Sequence, residues 1–227
     1  MVEAKGVEAV DRALKILECF DGRTQEITLA ELSRQTEFYK STILRLTESL
    51  ERFEYLVRGE SGRFRLGPAA WRLGSCYRQG FDLSNVLRPE LKALCEETNE
   101  TASFYIREGD NRICLYRVEP SRSIRHSIVE GASMPLKKGA SGKILSAFSG
   151  EPTKQFAEVK VRGYAISLGE RDPEVAAVAV PLFSKSGRIV GALSVSGLIT
   201  RFEEQVYEKF ITALKASSQR LSDQIST

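Results

Sequence analysis

Three short helical repeats of apolar residues, followed at once by an arginine-bearing hairpin, leave a chain few architectures to choose from, and residues 7–67 follow that order. Val10, Ala13, Leu14, Leu17 and Phe20 recur at spacings of 3, 1, 3 and 3, one face of a helix that Gly22 helps to stop. Thr28 stands three residues before Glu31, the capping-box spacing, so a second short helix begins there. After Thr36-Glu37-Phe38-Tyr39, the residues Ile43, Leu46, Leu50 and Phe53 at spacings of 3, 4 and 3 predict a third helix over 40–53. Tyr55-Leu56-Val57-Arg58 and Arg63-Phe64-Arg65-Leu66-Gly67, joined through Gly59-Glu60-Ser61-Gly62, predict two strands about a turn. This order makes a winged helix-turn-helix, in which the third helix enters the DNA major groove and the hairpin lies along the backbone.

Charge sets where such a surface can be. Lys+Arg total 33 against 30 Asp+Glu, a net +3 that is too small for bulk polyanion binding, so a nucleic-acid surface has to be local. Residues 38–66 hold six basic and four acidic side chains, whereas residues 1–37 hold five and eight. On a 100° wheel Ser41, Leu44, Arg45, Glu48 and Arg52 lie opposite the apolar stripe of the third helix. Ser41 and Thr42 in its first turn reach phosphates or base edges, and Arg45 matches the O6/N7 edge of guanine. Arg58, Arg63 and Arg65 of the hairpin face phosphate. Glu48 and Arg52, four apart, also fit an ordinary surface ion pair.

Beyond the wing, residues 68–82 read as a connecting helix. Trp71 in it suits an interface and suits packing on its own domain equally well. A helix with Val86, Leu87, Leu91, Leu94 and Cys95 on one face precedes three expected strands, 102–106, 112–118 and 124–129. A helix over 140–148, strands over 164–168, 175–183 and 188–196, and a C-terminal helix burying Val206, Phe210, Leu214, Leu221 and Ile225 complete an α+β domain of GAF-like kind. The expected division is therefore a DNA-binding domain over 1–67, a linker helix over 68–82 and a small-molecule domain over 83–227.

Little in the chain points to catalysis or metal. His126 is the only histidine, and the four cysteines at 19, 76, 95 and 114 form no CxxC pair, so they read as reduced core thiols and no metal site or cofactor is expected. One histidine and no G-x-S-x-G elbow leave a serine nucleophile without its partners, so no catalytic residue is assigned. The chain lacks a signal-peptide pattern and any run of about 18 apolar residues, so a cytoplasmic protein without a membrane partner is expected. Lys138-Gly139-Ala140-Ser141-Gly142-Lys143 opens a helix whose free amides attract an anion. It is no phosphate loop, because Lys137 and Ile144 occupy the positions that need Gly and Ser or Thr. Ser194 and Ser196 point to one sheet face, where they fit either a ligand or the satisfaction of backbone groups and water.

The segments AVDRALKILECF, LAELSRQT, KSTILRLTESLERFEYLV and GRFRLG resemble the N-terminal domain of IclR-type bacterial transcriptional regulators, and the resemblance runs along the whole chain. It implies a regulator that binds an operator in double-stranded DNA, with Lys40, Ser41, Thr42 and Arg45 in contact. It also implies a GAF-like effector domain that takes a small organic or aromatic acid against Ala140, Ser141, Ser167, Ala177, Ser194 and Ser196. The connector then helps to form a homodimer or a dimer of dimers. The alternative is a metabolite-binding protein or sensor enzyme without operator specificity. Glu37 and Tyr39 stand where the family carries Gly and often Pro, which predicts a reshaped turn. The family's acidic residue at the Ser167 position and its Cys at the Ala177 position are missing, and the segment from Gly142 to Gly163 is short for the family, so part of the pocket wall is expected to be absent.

Overall fold

The computed structural model describes residues 6–21, 24–79, 83–122, 128–149 and 156–225, and the chain falls into two units, Met1–Phe81 and Asp82–Thr227. In the first, α1 (Glu8–Glu18), α2 (Leu29–Thr36) and α3 (Lys40–Arg52) precede a hairpin of β1 (Leu56–Arg58) and β2 (Phe64–Leu66), and α4 (Pro68–Gln79) follows. The capping box forms: the Glu31 amide donates to Thr28 Oγ1 and the Thr28 amide to Glu31 Oε2, at 3.2 and 2.8 Å. Ile16, Ile27, Leu32, Ile43, Leu50, Leu56 and Phe64 make one core. Ile27 and Phe64 exchange both backbone hydrogen bonds, which adds a third piece of strand to the wing. Pro68 opens α4, where a missing N–H costs nothing.

Two details of the helical reading change. The core side of α1 is Ala13, Ile16, Leu17 and Phe20, while Val10 and Leu14 are each 53% exposed and continue a bare stripe with Val7. The apolar arc of this helix is wider than the core it meets, and spacings of 3 and 4 put Val7, Val10 and Leu14 on the surplus edge. Phe53 lies past the end of α3 and is exposed, with Arg52 Cζ 5.3 Å from its ring centroid. Gly22 lies outside the described residues; α1 ends before it. Glu37 itself takes the left-handed conformation, φ 60°, at the end of α2. Since that conformation strains a side chain bearing Cβ, Glu37→Gly is expected to raise the stability of this unit by about 0.5–1 kcal/mol, read as a higher Tm with unchanged DNA affinity.

The second unit opens with α5 (Ser84–Thr98), whose Leu87, Leu91, Leu94 and Cys95 are buried as the spacing predicts. Strands β3 (Thr101–Glu108), β4 (Asn111–Val118), β5 (Ser133–Pro135), β6 (Ala165–Leu168), β7 (Val175–Phe183) and β8 (Ile189–Leu198) form one antiparallel sheet in the order β5-β4-β3-β8-β7-β6. Helices α6 (Ala140–Phe148) and α7 (Ala157–Arg162) come between β5 and β6, and α8 (Glu204–Ser222) closes the chain. Phe210, Leu214 and Leu221 are buried on α8, with Ile225 buried just beyond it and Val206 only half-buried. The layers are those of the α+β, GAF-like arrangement. Residues 192, 194 and 196 of β8 face α6, and Leu193 and Val195 face the opposite layer, where Arg88 of α5 lies over the Tyr116 ring. The strand expected over 124–129 falls largely outside the described residues. Residues 123–127, with His126, lie outside the described residues, Ile128 and Val129 are not in a strand, and Ser133–Pro135 pairs with the start of β4 instead. The cysteines are all unpaired, but Cys76 on α4 is exposed, so the reading of core thiols holds for Cys95 and Cys114 only.

Candidate nucleic-acid interface and ligand cleft

Helix α3 turns Ile43, Thr47 and Leu50 into the core of its unit and leaves Lys40, Ser41, Arg45, Glu48 and Arg52 exposed, with Thr42 half-buried. Its first turn has no side-chain cap. Ser33 Oγ donates to the Phe38 carbonyl at 2.7 Å and ties α2 to the turn that aims α3. Thr42 and Arg45 share a groove with Glu8, Ala9 and Arg12 of α1. Arg12 is a cation that the sequence reading missed. It pairs with Glu8, and its Cζ lies 5.5 Å from the Phe38 ring centroid. Spacing gave no signal for it, because its nearness to Arg45 depends on how α1 crosses α3.

The hairpin does not hold its arginines on one face. Arg58 is registered against Phe64 and Val57 against Arg65, so Arg58 and Arg65 point to opposite sides. Arg58 Cζ lies 5.3 Å from the Phe64 ring centroid and covers the edge of the core. Arg63 is exposed near Glu31, whose carboxyl is held below its ordinary range, chiefly because the Thr28 amide and hydroxyl donate to it.

In the second unit, cross-strand register builds a floor of small side chains. Ser167, Ala177, Ser196 and Thr101 form one row across β6, β7, β8 and β3; Ala165, Ala179, Ser194 and Ser103 form the next. The start of α6 lies above this floor. Gly139 takes φ 89°, and a Cβ on Gly142 would lie 2.2 Å from the Leu136 carbonyl oxygen, so only glycine lets the helix begin so close to the preceding chain. Ala140 and Ser141 are buried in the first turn, whose amides have no intrahelical acceptor. The Gly139 amide donates to Glu170 Oε2 at 3.2 Å, and Lys143 pairs with the same carboxylate.

The six residues read from the sequence, Ala140, Ser141, Ser167, Ala177, Ser194 and Ser196, all line one cleft of about 420 Å³, its mouth included. Tyr105, Arg112, Arg171 and Asp172 line it too, and the sequence reading named none of them. Burial pushes the Tyr105 phenol up to about 12 and the Cys114 thiol to about 11, so both stay protonated at neutral pH. Ser194 Oγ donates to the Val178 carbonyl at 2.9 Å rather than to a base, the arrangement of a binding wall and not of a nucleophile.

Comparison with known proteins agrees with both halves. The IclR helix-turn-helix domain matches residues 9–60, and the C-terminal domain of the bacterial transcriptional regulator IclR matches 76–155 and 153–223. The regulator KipR of Bacillus subtilis is 25% identical over 224 residues, 88% of this chain and 90% of its own. The crystal structure of IclR from Thermotoga maritima superposes with a TM-score of 0.76 at 21% identity, covering 96% of this chain and 98% of that one. An IclR homologue from Microbacterium hydrocarbonoxydans, crystallised with 4-hydroxybenzoate, gives 0.78 at 19% identity, covering 95% and 98%. With both family domains matched in order along nearly its whole length, and its relatives named as transcriptional regulators rather than enzymes, the chain belongs to the IclR family of DNA-binding bacterial transcriptional regulators.

Proposed function

We propose that this regulator reads its operator through Lys40, Ser41, Thr42 and Arg45 of α3, with Arg63 and Arg65 of the wing on phosphate; Arg58, which packs over the Phe64 ring on the other side of the hairpin, is left out of that set. The reading rests on the outer face of α3: its apolar side is consumed by the core, and Lys40, Ser41 and Arg45 remain exposed. Arg45→Ala is expected to weaken specific operator binding by about 1–3 kcal/mol with little change in non-specific affinity. The measurement is a salt series of binding isotherms with operator and scrambled duplex. An unchanged ratio of the two affinities removes Arg45 from the base-reading set.

The cleft under α6 takes the effector, a small organic or aromatic acid, and ligand binding there changes operator affinity. The complex of 4-hydroxybenzoate with the Microbacterium homologue supports this class of ligand, as does the helix start facing hydroxyl-bearing strands. The units 1–67, 68–82 and 83–227 divide the work into DNA binding, connection and sensing, and the protein acts in the cytoplasm; among the described residues no helix is long and apolar enough to cross a membrane.

The working form is a homodimer or a pair of dimers, with α4 in the contact. Trp71 is 69% exposed on α4, and Leu73 and Tyr77 are exposed on the same helix, more bare apolar surface than a helix facing only water carries. Trp71→Glu is expected to shift the protein to monomer in sedimentation velocity and to weaken binding to a two-half-site operator more than to a single half-site. A variant that sediments as wild type excludes Trp71 from the contact.

A further inference from the structure

The cleft contains a charge that no described residue balances. Arg112 of β4 is 4% exposed. Its Nη1 donates to the carbonyls of Pro135, at 2.7 Å, and Lys138. Nε has no partner, and Nη2 makes no hydrogen bond to any described residue. The guanidinium lies against the start of α6, where a Cβ on Gly139 would come 3.0 Å from Nη2 and one on Gly142 2.6 Å from Nη1. Two positive features therefore face each other, a cation and the positive end of a helix.

No carboxylate among the described residues answers them. Glu170 takes the Gly139 amide but is paired with Lys143. Asp172 lines the cleft yet accepts the Glu174 amide and forms no ion pair with Arg112. Tyr105, whose ring centroid is 5.8 Å from Cζ, is uncharged at neutral pH and offsets only part of the cation through its π face. Arg171, the other cation of the cleft, is exposed at its mouth and adds to the same sign. A buried guanidinium cannot shed its proton, and leaving it without a counter-charge is costly.

We propose that Arg112 sets the charge of the effector: a compact carboxylate enters the cleft, pairs with the unclaimed Nε/Nη2 edge, and bridges it to the first turn of α6. That edge is two parallel donors, the geometry a carboxylate meets with both oxygens. The inference rests on the effector cleft proposed above and adds the residue that makes it select anions. It predicts that an acid binds and its amide, of the same shape and uncharged, does not.

The test uses the full-length protein with matched probes, pyruvate against pyruvamide and 4-hydroxybenzoate against 4-hydroxybenzamide, followed by thermal shift and calorimetry. At least one acid is expected to raise the Tm of the wild type while its amide leaves it unchanged. Arg112→Met, which keeps length without charge, is expected to bind that acid about ten- to a hundredfold more weakly, with Arg112→Lys between the two. Amides that stabilise as well as acids, or acids that leave the wild-type Tm where the amides leave it, overturn the proposal without need of a variant. Acid binding that survives Arg112→Met but is lost in Ser194→Val removes the role of Arg112 and keeps the cleft. Acid binding indifferent to both substitutions refutes the cleft itself.

Discussion

Replacing Phe64 with alanine is expected to destabilise the first unit by about 3–5 kcal/mol and to abolish operator binding at temperatures where the second unit stays folded. Phe64 is fully buried, and its backbone carries both hydrogen bonds to Ile27. Its ring also carries Arg58. Truncation therefore opens a cavity where the wing, the segment before α2 and the α3 core meet. Hydrogen exchange resolves the two units: amides in 27–66 lose protection, and those of β3 and β8 keep theirs. Equal loss in both units means that the chain unfolds as one body and that the effect does not belong to the wing.

Gly142→Ala is expected to cost about 3 kcal/mol in the second unit and to remove ligand binding. The added Cβ would sit 2.2 Å from the Leu136 carbonyl oxygen and 2.6 Å from Arg112 Nη1. One of these is backbone and the other a guanidinium held by two carbonyls, so neither yields cheaply; the start of α6 has to move off the strands. Denaturant unfolding gives the stability, and calorimetry with 4-hydroxybenzoate or pyruvate gives the binding. A stable variant that still binds means the helix start is softer than these contacts imply.

Much of the fold could be read from local pattern. Helix periodicity located α3, α5 and α8, the Thr28–Glu31 spacing located the start of α2, and β7 begins and ends at the expected residues. The six cleft residues came from resemblance and from the alternation of Ser194 and Ser196, and one cavity holds them all. Facing was legible for α3, α5 and β8 and failed where the edge of a stripe or a bulge decides it. Of the stripe Val10, Ala13, Leu14, Leu17 and Phe20, the core takes Ala13, Leu17 and Phe20 together with Ile16, and Val10 and Leu14 stay bare. Alternation along β4 gives Arg112 and Arg117 opposite faces, but a bulge, where Phe104 pairs with Tyr116 and Tyr105 with Cys114, returns both to the α6 side, and Arg117 Nη1 reaches Ser103 Oγ at 3.1 Å.

The order of amino acids alone determined that this chain makes three helices and a hairpin, then a sheet with helices, because those choices turn on hydrophobic period, caps and turn residues only a few positions apart. Tertiary structure alone decided that Arg112 is enclosed with no counter-charge among the described residues and that Arg12 and Arg45 line one groove. Solvation and pairing of a charge depend on what distant segments bring within a few ångströms of it. The carbonyls of Pro135 and Lys138 that hold Arg112 lie 23 and 26 residues away along the chain.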